Sequence, residues 1–207
     1  MSIIYLTSSI DEEFGFYDNI KKYLKEDLKG AKKLICISST PDNYEKNDMY
    51  YNIYIKWFEE FGIKESVLLD SRYKDSVDKA INENDVVYLM GGDPFTQINY
   101  LKYNNIDKIL NLYNGVIIGT SAGAMNLGKK VYYCKDEDYP KTTTYDGVGI
   151  VDITIDPHFD MNNEIQINEF KKYSEKFNII GLPEESAIRI IKNEVIYIGE
   201  NYNYEDF

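Results

Sequence analysis

The chain has 207 residues, and 43% of its side chains are apolar, which supports one packed core and excludes a disordered polypeptide. Lys and Arg number 23 against 35 Asp and Glu, a net charge of −12. A surface this acidic repels phosphate backbones and anionic lipid, so neither nucleic acid nor membrane is expected as a partner.

In chain order, residues 2–8 (SIIYLTS) read as a strand. Residues 12–29 read as a helix, with Phe16, Ile20, Tyr23, Leu24 and Leu28 on one face. A strand at 33–39 precedes an aromatic-rich helix at 43–61, a short strand at 66–70 and a helix at 74–82. The strand at 85–90 runs into Gly91-Gly92, and helices follow at 96–103 and 107–113. Residues 115–119 (GVIIG) form a continuous apolar strand of the kind buried on both faces. The last third predicts strands at 131–134 and 148–155 and a helix at 164–177. Strands at 187–192 and 194–199 close the chain as an antiparallel hairpin across a Lys192-Asn193 turn. This alternation predicts an α/β fold, a mostly parallel sheet with helices on both sides. No Gly/Ser/Pro-rich linker divides the chain, so residues 1–207 are expected to form one domain.

No apolar run approaches the ~18 residues of a membrane span. The opening MSIIYLTSSIDEEFGF has no basic start and no long apolar stretch, so no secretory leader is expected. Cys36 and Cys134 are expected to be free thiols in a reducing cytoplasm. With a single histidine and no C-x-x-C, no metal is expected. No G-x-G-x-x-G or Walker pattern appears, so no nucleotide cofactor is implied.

The strongest local signal is Gly119-Thr120-Ser121-Ala122-Gly123-Ala124, a G-x-S-x-G pattern between the apolar strand and a helix. A nucleophile elbow requires that context: the turn exposes Ser121, and backbone N–H groups from Ala122 onward point at a developing oxyanion. A glycine-rich turn used only for close packing is the structural alternative. A serine nucleophile needs a base, and His158 is the only histidine. Two places offer the carboxylate that orients an imidazole: Glu184-Glu185, after an apolar run, and the acidic loop of Asp136, Glu137 and Asp138. Gly91-Gly92-Asp93 ends another strand and offers a second oxyanion donor, while Asp93 and Pro94 also suit the start of a helix.

Four segments, Leu89-Met90-Gly91-Gly92-Asp93, Gly119–Ala124 as above, Asp156-Pro157-His158-Phe159 and Gly181-Leu182-Pro183-Glu184-Glu185-Ser186-Ala187, occur in an order that resembles the serine peptidases that include dipeptidase E (alpha-aspartyl dipeptidase) and cyanophycinase. These are relatives of the class I glutamine amidotransferases with serine in place of cysteine. The resemblance implies a three-layer, flavodoxin-like fold of the class I glutamine amidotransferase type. It implies Ser121 as nucleophile and His158 as base, with Gly92 or Asp93 and Ala122 holding the oxyanion. For the acid, a cyanophycinase-like pattern points to Glu184 and a dipeptidase E-like pattern to Asp136. Glu184 is preferred because its apolar flanks fix it.

The sequence departs from the family where an aspartate-specific member is expected to carry an arginine after the histidine motif. Residues 160–172 (DMNNEIQINEFKK) contain none, and the whole chain has only Arg72 and Arg189. Gln166 is a polar replacement that suits a neutral side chain, and Asp156 and Asp160 suit a free α-amino group. The expected activity is that of a cytoplasmic serine peptidase on short peptides, as monomer or homodimer. An esterase or amidase on the same triad, and a non-catalytic binding protein of the same fold, are the alternatives. The aromatic run at 49–58 is expected to pack as a helix face rather than to form a substrate cage.

Overall fold

A computed structural model describes residues 2–11, 13–192 and 194–207. The first part of the chain runs β1 (Ile3–Thr7), α1 (Asp18–Asp27), β2 (Lys33–Ile37), α2 (Tyr44–Glu59), β3 (Glu65–Leu69), α3 (Val77–Ala80), β4 (Val86–Leu89), α4 (Pro94–Tyr103), α5 (Ile106–Leu112), β5 (Val116–Thr120) and α6 (Ala122–Leu127). The remainder runs β6 (Lys130–Tyr133), β7 (Thr143–Asp146), β8 (Thr154–Pro157), α7 (Glu164–Ser174), β9 (Ile179–Leu182), β10 (Ala187–Ile191) and β11 (Glu194–Ile198).

The central sheet has the order β11-β10-β1-β5-β4-β2-β3. The five strands from β1 to β3 are parallel, and β10 and β11 join antiparallel at one edge. Successive side chains of a strand point to opposite faces. Tyr5, Leu34, Cys36, Val86, Tyr88 and Ile118 meet Ile20 and Leu24 of α1 and Tyr54 and Phe58 of α2. Ile4, Leu6, Ile35, Val87, Leu89 and Ile117 meet Ile98 and Leu101 of α4, Leu110 of α5 and Met125 of α6. Both faces are therefore covered, which is why the inner strands β4 and β5 are buried along their whole length and almost wholly apolar. This is the three-layer α/β architecture expected, including the terminal antiparallel pair. The Asn193 half of the expected turn lies outside the described residues.

Three local expectations differ from the structure, and one strand was not expected. The helix expected from 12 begins at Asp18 (Glu12 itself lies outside the described residues). Before it, the Asp11 carboxylate accepts from the N–H groups of Glu13 and Phe14, and Gly15 turns the chain at φ +77° beneath the Trp57 ring. Phe16 keeps its place in the core without being helical. The helix expected at 74–82 is the single turn α3, because Asp85 draws the Asn82 N–H into a turn of its own. The strand expected at 148–155 is formed only from Thr154 onward. Val148 and Ile150 instead donate their N–H groups to the carbonyls of Asn126 and Leu127, which the end of α6 leaves without helical partners. The strand β7 was not legible, because Thr143, Thr144 and Asp146 are exposed and give no apolar alternation.

Beneath the sheet edge, Asp27 joins three elements. It accepts from Tyr5 Oη (2.5 Å) and from Arg189 Nε (2.7 Å) and an Arg189 terminal nitrogen (2.8 Å). This ties α1 to β1 and β10. Removing one partner of such a mostly buried ion pair leaves the other uncompensated. Asp27→Ala is expected to lower unfolding free energy by about 3 kcal/mol in urea titration; a loss within error of zero would show that the cluster contributes no stability.

Candidate active site

The site forms where the parallel strands end. Ser121 follows β5 directly and adopts φ 50°, ψ −115°, a conformation that costs a residue with a side chain about 1–3 kcal/mol. Its surroundings enforce it. Ser121 N–H donates to Thr7 O (2.9 Å), and Met125 N–H returns to Ser121 O (2.9 Å). The Thr7 hydroxyl donates to Gly119 O (3.1 Å) and lies 2.8 Å from that of Thr120. A β-carbon on Gly119 would stand 2.6 Å from the Gly123 carbonyl, and one on Gly123 would stand 2.2 Å from Leu89 O. Both glycines of the pattern are thus dictated by α6 lying directly on β5 and β4.

His158 directly follows β8, at φ 55°. Its N–H donates to Ser8 Oγ (2.8 Å), and Ser8 Oγ in turn donates to Leu182 O (2.8 Å), so the residue after β1 holds the ends of β8 and β9 together. These two strands pair in parallel, which sets His158 beside the segment that carries Glu184. His158 Nε2 lies 2.8 Å from Ser121 Oγ, and His158 Nδ1 lies 2.6 Å from Glu184 Oε1. A carboxylate can only accept from the ring, so Nδ1 carries the proton and Nε2 is left to accept from the serine hydroxyl. Burial favours the neutral form of Glu184, yet the Ser9 hydroxyl and the His158 ring hold its carboxyl below the ordinary range. Both side chains remain half exposed, at 50% and 55%.

The other carboxylates are held elsewhere. Asp136 shares a cavity with His158 but accepts from Tyr133 Oη (2.5 Å) and Tyr139 N–H (2.7 Å). The imidazole is hydrogen-bonded to Glu184. Asp93 caps α4 through the N–H groups of Phe95 and Thr96, with Pro94 in the first turn. Burial opposes its charge, but those N–H groups and the Tyr139 hydroxyl hold its carboxyl below the ordinary range. Gly92 has φ +134°, and a β-carbon there would stand 2.3 Å from Ser39 Oγ, which itself donates to Gly91 O (2.6 Å). Ala122 is the first residue of α6, so its N–H has no acceptor within the helix.

Two cavities open on Ser121 and His158. One, of about 290 Å³, is lined by Tyr133, Lys135, Asp136, Asp156 and Gln166. Asp156 is buried there and accepts from Gln166 Nε2 (3.2 Å); burial pushes its carboxyl up to about 7. Gln166 Oε1 accepts from Asp160 N–H (3.0 Å). The Asp160 carboxylate turns outward to Asn162, so of the three predicted binding residues only Asp156 and Gln166 line the cavity. The second cavity, of about 450 Å³, lies under α2. Neither arginine lines either cavity: Arg72 pairs with Asp48 and Asp70, and Arg189 with Asp27. Sequence reasoning missed Thr7, Ser8 and Ser39. The only available signal was their place, small hydroxyl residues at or just after the ends of β1 and β2.

The comparison with known proteins agrees with this architecture. The family model for peptidase family S51 matches residues 3–198. The Listeria monocytogenes peptidase Lmo0363 is 26% identical over 206 residues, covering 95% of this chain and 98% of the relative. Peptidase E of a Nostoc species is 24% identical, covering 93% and 85%. A crystal structure described as a Peptidase E protein of Listeria monocytogenes superposes with a TM-score of 0.69 at 25% identity, over 95% of this chain and 98% of that one. A peptidase from an acI-B1 Actinobacterium, 16% identical, has the same fold with a TM-score of 0.66, over 98% and 97%. The chain is a serine-type peptidase, a hydrolase. It belongs to peptidase family S51.

The buried Asp156 makes stability depend on pH. Its carboxyl is raised in the folded protein, so between about pH 4 and pH 7 the folded state binds more protons than the unfolded state and stability falls as pH rises. Asp156→Asn is expected to remove that slope and to melt above wild type at pH 8. Parallel melting-temperature profiles of the two proteins from pH 4 to 8 would contradict this.

Proposed function

We propose that this peptidase hydrolyses short peptides through Ser121, His158 and Glu184, acting as one domain in the cytoplasm. The observation that carries the reading is the unbroken hydrogen-bond chain from Ser121 Oγ through both ring nitrogens of His158 to Glu184. The unpaired thiols Cys36 and Cys134 support a reducing compartment.

Ser121 Oγ attacks the scissile carbonyl carbon while its proton passes to His158 Nε2. The carbonyl oxygen becomes an oxyanion, held by the N–H groups of Ala122 and of Gly92 or Asp93. Glu184 keeps the ring in the required tautomer and balances the imidazolium charge. As the tetrahedral intermediate collapses, the C–N bond breaks and the leaving amine takes the proton from Nε2. Water then attacks the serine ester, giving its proton to His158, and the acid product leaves as Ser121 regains a proton. The acidic cavity with Asp156 suits a free α-ammonium group, whose charge would stabilise ionised Asp156. The missing arginine clamp and the presence of Gln166 argue against a substrate carboxylate in that cavity.

Purified protein treated with a fluorophosphonate is expected to gain one adduct by intact mass, and Ser121→Ala none. Ser121→Ala and His158→Ala are each expected to lower dipeptide turnover by about 10³-fold or more, and Glu184→Gln by about 10²–10⁴-fold. Near wild-type turnover in any of the three would contradict the assignment.

A further inference from the structure

We infer that the cavity under α2 is the subsite for a large apolar or aromatic side chain on the leaving-amine side of the scissile bond. This rests on the reading of Ser121 and His158 given above and assigns what lies beyond them.

The cavity reaches Ser121, His158 and Gly92 beside α2, which packs on one face of the central sheet, whereas the acidic one reaches the same three residues beside α4 and α6, which pack on the other. Its wall is a helical stripe: Met49, Tyr50, Ile53, Tyr54 and Trp57 recur along α2 at the spacing that puts side chains on one face. Ile10 completes the apolar lining, and apart from His158 the one basic or acidic side chain on it is Lys46, which is exposed. The run expected to serve only as a packing face therefore divides. Phe58 and Tyr54 are buried against the sheet, while Tyr50, Ile53 and Trp57 are partly exposed and face the cavity.

The wall is stiff before any ligand arrives. Tyr54 stacks on Tyr50 with centroids 6.0 Å apart, meets Trp57 at 5.1 Å and stands edge-on to the buried Tyr88 at 4.9 Å. Gly15 presses on the Trp57 ring so closely that a β-carbon would stand 2.8 Å from it. A preformed aromatic wall loses little freedom when an apolar group docks. The volume of about 450 Å³ falls in the range of small-molecule sites. The two cavities thus sort a peptide by chemistry. The amine end faces Asp156, and the residue across the scissile bond faces α2.

The test is kcat/KM over two dipeptide series, Ala-Xaa and Xaa-Ala. Ala-Phe, Ala-Tyr and Ala-Leu are expected to exceed Ala-Gly and Ala-Asp by about 10- to 100-fold, with no such gain in the Xaa-Ala series. In Ile53→Glu the Ala-Phe to Ala-Gly ratio is expected to fall toward one. Tyr50→Ala, checked by thermal melting, gives the same reading if the first variant does not fold. A flat Ala-Xaa series, a preference confined to the Xaa-Ala series, or a ratio unchanged in both variants would overturn the inference. If fluorophosphonate labels Ser121 but no dipeptide turns over, calorimetry on Ser121→Ala decides. Ala-Phe binding at least about tenfold tighter than Ala-Gly supports the subsite, and equal binding overturns it. Failure of the fluorophosphonate to label wild type would instead strike the assignment of Ser121.

Discussion

The positive φ of Ser121 is the constraint on which the rest of the site depends. A serine in that conformation is strained, and it persists only because the surrounding chain allows no other path. The sheet supplies one side of that confinement through the hydrogen bond from Ser121 N–H to Thr7 O. The helix supplies the other, since α6 packs so tightly on β5 and β4 that Gly119 and Gly123 have no room for a β-carbon. The outcome is a hydroxyl standing clear of the sheet edge, next to the N–H of Ala122. Strain in the backbone is thereby exchanged for the exposure of a single oxygen.

The partners of that oxygen come from a different part of the fold. His158 and Glu184 follow β8 and β9, a parallel pair outside the central sheet. Without a fastening, their distance to Ser121 would vary with every movement between the two sheets. Ser8 provides the fastening, accepting from His158 N–H and donating to Leu182 O while belonging to the segment after β1. One small hydroxyl therefore locks His158 to the same strand that already holds Ser121. Ser39 does the equivalent for the glycine loop through Gly91 O. The polar residues at the strand ends are thus the means by which loops of separate elements share one geometry.

Much of this was legible in the sequence, for physical reasons. Doubly covered strands must be apolar throughout, so the GVIIG run and the alternation of strands and helices announced the layered sheet. The glycines about Ser121 and the lone histidine singled out the two side chains that the structure brings to 2.8 Å of each other, and the apolar flanks of Glu184 favoured it over Asp136 as the carboxylate beside the ring. What failed lay where side chains compete with the local pattern. Asp11 and Gly15 delay α1, the stranded carbonyls of α6 capture residues 148–151, and the exposed β7 carries no periodicity. Ser8 was beyond reach, because a contact with His158 across 150 residues leaves no mark in either neighbourhood. The outward turn of Asp160 is likewise a loop detail set by Asn162.

Because the chain holds one histidine, its imidazole gives a single pair of side-chain nitrogen resonances, and the tautomer can be read without assignment. The most direct test of the account is the ¹⁵N spectrum of the neutral His158 ring in wild type and in Glu184→Gln. In wild type Nδ1 is expected to be protonated and Nε2 unprotonated, with the Nδ1 proton moved far downfield by the carboxylate and shifted back in the variant. A neutral ring protonated at Nε2, or an Nδ1 signal indifferent to the loss of the Glu184 charge, would contradict it.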